Sequence, residues 1–103
     1  TDRGLQCRIL SGFKNQSIVY QSHRDCVTVL PKNAVELALN NKGNQAFTIH
    51  ENMYGVQFHP EFSWGIIKKY ASVRSAAGVI VDDPSVPESN QGQAVLDNFI
   101  DLI

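Results

Sequence analysis

The chain reads as an α/β fold, an antiparallel meander of short strands followed by two amphipathic helices. Three observations carry that reading. Val35 to Leu39, Gln45 to His50 and Met53 to His59 are strand-like runs joined by turn-prone links, Asn40-Asn41-Lys42-Gly43-Asn44 and Glu51-Asn52. Links this short join antiparallel neighbours. After Pro60 the apolar spacing becomes helical, through Ile66, Ile67, Tyr70, Val73 and Ala77, and again through Val95, Leu96, Phe99, Ile100 and Ile103.

Before the meander, Leu5 to Leu10 reads as a short strand and Ser11-Gly12 as a turn. Ile18 to Gln21 reads as a second strand, running into Ser22-His23-Arg24-Asp25, and Cys26 to Leu30 continues in strand-like residues up to a turn at Pro31-Lys32-Asn33. Ser63 is placed to cap the first of the two helices. Asp82 to Gly92, with Pro84 and Pro87, reads as a loop before the second helix. Both helical stripes are expected to be core contacts.

Composition narrows the function classes. The chain has 103 residues, 43% of them hydrophobic and 18% charged, as in an ordinary globular domain or part of one. A formal net charge of −1, with nine scattered Lys and Arg, gives no footprint for nucleic acid or an anionic membrane. The longest apolar run, Ala76 to Val81, is too short to span a bilayer. No basic-then-apolar leader is present, and two cysteines, Cys7 and Cys26, lack the spacing of a metal site or a disulfide framework. A reduced, cytoplasmic setting is the expectation.

The chemistry concentrates in Tyr54-Gly-Val-Gln-Phe-His-Pro-Glu61. Tyr54, Val56 and Phe58 alternate as on a half-buried strand, which puts His59 and Glu61 on the opposite face with Gly55 and Gln57. Pro60 fixes its own φ and biases His59 toward an extended conformation. A carboxylate held beside an imidazole can set its tautomer, orient it and balance the charge of the imidazolium. The structural alternative is a strand boundary with a packed histidine.

This string closely resembles the signature of the class I glutamine amidotransferases, in which a strand delivers the His and Glu of a Cys-His-Glu triad. Residues 20–25 and 45–47 resemble the family more loosely, and the ending Val95-Leu96-Asp97-Asn98-Phe99 is similar to stand-alone amidotransferases related to the glutaminase part of GMP synthase. The resemblance implies that residues 1–103 are the C-terminal half of a flavodoxin-like domain. It implies catalytic roles for His59 and Glu61, with Ser22, His23 and Asp25 near the α-amino and carboxylate ends of L-glutamine. Arg24 stands where small residues are common in the family, and a self-capped turn is the alternative for that loop.

The family's nucleophile comes from a Gly-x-Cys-x-Gly turn between a strand and a helix, where the helix N-terminus and backbone N–H groups lower the thiol pKa and support an oxyanion. Cys7, in Leu-Gln-Cys-Arg-Ile, and Cys26, in Arg-Asp-Cys-Val-Thr, lack the flanking glycines. Both are expected to be structural. The thiol is therefore expected in an N-terminal half outside this sequence, and the chain alone is expected to be inactive. The implied partners are that half and a synthetase domain or subunit that accepts ammonia. No metal or organic cofactor is expected for the glutaminase step. A γ-glutamyl hydrolase-like peptidase and a non-catalytic amidotransferase-like binding domain are the rival readings.

Three further residues round out the expectations. His50 is expected to be exposed and inert, Gln57 to hydrogen-bond around the site or serve its strand, and Trp64 to anchor packing at the mouth of the site.

Overall fold

The computed structural model describes residues 1–23, 25–76 and 87–103. The meander is there: β1 (Ala34–Asn40), β2 (Gly43–Ile49) and β3 (Met53–Val56) form an antiparallel sheet in the order β1-β2-β3. Two turn features set its register. Gly43 opens β2 at φ 126°, a conformation that favours glycine, and His50 and Glu51 take left-handed φ values of 57° and 72° in the second turn. That turn begins one residue before the expected Glu51-Asn52.

The register shifts between Glu36 and Ala38, so that Leu37 bulges out of the β1–β2 ladder. The freed Leu37 carbonyl accepts from Thr1 Oγ1 at 2.8 Å. The same hydroxyl accepts from Gly4 N–H at 3.0 Å, starting the short helix α1 (Asp2–Gln6). Gly4 packs so closely that a Cβ there would lie 1.9 Å from the Leu37 carbonyl oxygen.

This corrects the strand expected at Leu5 to Leu10. That stretch is the end of α1 followed by a 3-10 turn, Arg8–Leu10. Its neighbouring residues Ile9 and Leu10 are both buried, which a turn tucked under the sheet allows and an alternating strand does not. Together with Leu37, Ala46, Phe58 and Val95 they make the apolar core.

The strands expected at Ile18 to Gln21 and Cys26 to Leu30 also do not form. Residues 18–20 are fastened mainly by side chains. Ser89 Oγ donates to the Ile18 carbonyl at 2.7 Å, and the Tyr20 hydroxyl donates to the Pro87 carbonyl at 2.8 Å while accepting from Ser89 N–H. A backbone bond also runs from His59 N–H to the Tyr20 carbonyl at 2.8 Å. Residues 26–30 have no strand pairing among the described residues, and Val29 is exposed.

Helices α2 (Trp64–Ala76) and α3 (Ala94–Leu102) occur where periodicity puts them. Ser63 caps α2, its hydroxyl accepting from Ile66 N–H at 3.3 Å. Ala77 and residues 82–86 of the expected loop lie outside the described residues.

The stripes themselves need correction. In α2 Ile67 is buried, while Ile66, Tyr70 and Val73 are exposed. In α3 Leu96, Phe99 and Ile100 are exposed, as is Ile103 just past its end, and Val95 is buried. The inner face of α3 is instead Val95, Asn98 and Leu102. Asn98 Nδ2 donates to the carbonyls of Ile9 and Ser11, both at 3.0 Å, so a polar residue docks the helix on the 3-10 turn.

Candidate active site

The site is assembled where the chain leaves β3. Gln57 adds one more rung to the sheet, its N–H donating to the Gln45 carbonyl at 2.9 Å, and Phe58 enters the core. His59 and Glu61 therefore lie just beyond the strand, not on it. Three backbone features hold them there: the bond from His59 N–H to Tyr20, the missing N–H of Pro60, and a turn closed by Phe62 N–H to the His59 carbonyl at 3.2 Å.

Within that turn His59 Nδ1 and Glu61 Oε1 are 2.6 Å apart, a short charge-assisted hydrogen bond in which Nδ1–H donates. Glu61 Oε1 fixes the proton on Nδ1 and leaves Nε2 outside that bond. Nε2 points to the Ser22 carbonyl, 3.2 Å away. That oxygen can only accept, so the surroundings also suit the ring when both nitrogens carry protons. The Glu61 carboxyl is held below its ordinary value, first by its own backbone N–H; burial opposes that shift, and the His59 bond and charge add to it. The pair is open to solvent, with the His59 side chain 35% exposed and that of Glu61 56%.

Aromatic residues complete the surroundings. The Phe62 ring stacks on the imidazole with centroids 4.3 Å apart and planes 10° apart, and it leans against Tyr70 of α2 at 6.0 Å. The Tyr70 hydroxyl accepts from Arg74 Nη2 at 2.8 Å. Hydrogen bonding with the Ser22 side chain, then with Arg74, lowers the Tyr70 pKa below 10.0. Ser22 thus meets His59 through its carbonyl.

The other sequence candidates separate from this cluster. His23 Nδ1–H donates to the Asp25 carbonyl at 2.6 Å, and its Nε2 faces Gln21 Oε1 at 2.7 Å, so the ring braces its own loop. Asp25 takes part through its backbone. Arg24 lies outside the described residues. Cys7 packs against the core and Cys26 is exposed. His50 is exposed, as expected, and Lys68 Nζ sits 4.2 Å from the Trp64 ring centroid.

The family model for glutamine amidotransferase class-I matches residues 2–71. The chain belongs to the class I glutamine amidotransferases. Among curated proteins this amidotransferase chain is 30% identical over 98 residues to a glutamine-hydrolysing GMP synthase from a Nitratiruptor species, covering 93% of the chain and 14% of the relative. It is 40% identical over 55 residues to a glutamine-hydrolysing GMP synthase subunit of Methanosphaera stadtmanae, covering 52% of the chain and 30% of that relative. The corresponding figures for the GMP synthase of Helicobacter pylori are 38% over 53 residues, 52% and 10%. The amidotransferase chain thus spans less than a third of each of these relatives. No solved structure matches it. Among the described residues no helix is long and apolar enough to cross a membrane.

Phe62 and Tyr70 are the site residues that sequence reasoning missed. The available signal was spacing: His59 and Phe62 are three apart across a proline turn, and Tyr70 sits one helical turn after Ile66 on the stripe read as core.

Proposed function

We propose that residues 1–103 are the C-terminal part of a glutaminase domain and supply the His-Glu arm of a Cys-His-Glu triad. The observation that carries this reading is the 2.6 Å contact between His59 Nδ1 and Glu61 Oε1, in a chain of this family. The thiol comes from a Gly-x-Cys-x-Gly elbow on a segment outside the sequence, which would pack on apolar faces such as that of α3.

In this mechanism His59 Nε2 takes the proton of the cysteine, and the thiolate attacks the side-chain carbonyl carbon of L-glutamine. The tetrahedral adduct collapses as His59 returns the proton to the leaving nitrogen, giving ammonia and a γ-glutamyl thioester. Water, deprotonated by the same nitrogen, then attacks the thioester and releases glutamate and the thiol. Glu61 keeps the imidazole in its working tautomer and balances its charge throughout. The Ser22 to Asp25 loop, stiffened by His23, holds the amino-acid end of glutamine. The kinship with GMP synthases supports passage of the ammonia to a synthetase domain or subunit.

An ammonia-release assay tests the reading. The 103-residue chain alone should give no turnover of L-glutamine, and the polypeptide or complex that supplies the elbow should. Turnover by the chain alone would contradict the missing-thiol account. Preference for γ-glutamyl conjugates over free glutamine would instead assign a peptidase, and an elbow without cysteine a binding module.

A further inference from the structure

The imidazole of His59 is held at two corners, by Glu61 and by the Ser22 carbonyl. Its third restraint is on the face. The turn closed between Phe62 N–H and the His59 carbonyl carries the Phe62 ring back over the imidazole, with centroids 4.3 Å apart and planes 10° apart. The phenyl ring does not float there. It is tilted at 47° against Tyr70, whose own ring carries the Arg74 guanidinium 4.7 Å from its centroid and whose hydroxyl accepts from Arg74.

A carboxylate bonded at one ring corner fixes a tautomer but leaves the ring plane free to swing about that bond. The weak 3.2 Å contact to Ser22 restrains such swinging little. A parallel aromatic face restrains it directly. The face of a benzene ring also carries negative charge density, so it attracts an imidazolium more than a neutral imidazole. Glu61 therefore acts on the ring in its plane, and Phe62 acts on it from the perpendicular.

We propose that Phe62 is a positioning residue for His59: its stacked ring fixes the imidazole plane so that Nδ1 stays on Glu61 and Nε2 stays aimed. Phe62 need not touch glutamine. The proposal rests on the glutaminase reading for its consequence in catalysis, but not for its effect on the His59 ring.

The test uses Phe62→Leu and Phe62→Met, which keep apolar bulk without an aromatic face, and Phe62→Tyr, which keeps the face. In the 103-residue chain, nitrogen-edited NMR should show the hydrogen-bonded His59 Nδ1–H resonance weakened or lost in the Leu and Met variants and retained in the Tyr variant. In the protein that carries the thiol, kcat for glutamine should fall about three- to tenfold in Leu and Met with KM unchanged, and recover to within about twofold in Tyr. A wild-type Nδ1–H resonance in either non-aromatic variant would overturn the proposal, as would a Tyr variant that loses it equally. Absence of glutamine hydrolysis by the wild-type protein would sink the glutaminase reading instead, and the NMR comparison would still decide the role of Phe62.

Discussion

Glu61 Oε1 lies 2.6 Å from His59 Nδ1 across a single proline, and the same carboxylate is stabilised by its own backbone N–H. The order of those causes has a measurable consequence. The folded chain favours the ionised carboxyl, so Glu61 titrates below its ordinary 4.5. Its contribution is present above that value and is lost as pH falls through the lowered folded value. Carbon-detected NMR titration should show His59→Ala raising the Glu61 midpoint only part of the way to 4.5, because the backbone bond remains. A complete return would make the histidine the main cause.

Tyr70 reports on the same cluster from the helix side. Its ionisation is lowered first by Ser22 and second by Arg74. Ultraviolet titration of the phenol should therefore move upward toward 10.0 in both Ser22→Ala and Arg74→Met, and further in the serine variant. An unchanged midpoint in Ser22→Ala would mean that the serine hydroxyl does not reach α2.

Asn98 holds α3 by two hydrogen bonds to carbonyls of the turn beneath it. Asn98→Ala leaves both carbonyls without that donor and should cost about 1–2 kcal/mol in urea unfolding. Leu96→Ala, on the exposed face of the same helix, should cost less. The reverse order would show that the apolar stripe is the inner face.

Gly4 is required by contact, since a methyl group there would meet the Leu37 carbonyl at 1.9 Å. Gly4→Ala should lower the unfolding free energy by about 1–3 kcal/mol, because backbone must move to admit the methyl. Gly65, with nothing within 4 Å of where its methyl group would stand, should accept alanine without loss.

The meander was legible because strand-like runs are separated by short links and the first link carries Gly43 where positive φ is needed, although the second places His50 and Glu51 in that conformation. The first ten residues misled because Leu5-Gln-Cys-Arg-Ile-Leu10 has strand-like period over too few residues to outweigh a threonine cap and the packing of Gly4 on β1. Residues 18–20 look like a strand in sequence, but their partners are Ser89 and Pro87, far away in sequence and joined by side chains that no local pattern reveals. The helical stripes showed where helices form, not which face is covered; Asn98 docks α3 through hydrogen bonds that hydrophobic periodicity cannot register. At the site, the pairing of His59 with Glu61 was readable from two-residue spacing around Pro60. The meeting of Ser22 with His59 depends on the fold bringing residues 20–22 beside the turn.

The central claim is that His59 moves the protons of glutamine hydrolysis, and kinetics of the thiol-bearing protein test it most directly. Ammonia release from L-glutamine should be abolished by His59→Ala, with the fold intact by circular dichroism, and lowered by orders of magnitude by Glu61→Gln. Near-normal release by the His59→Ala protein would contradict the account.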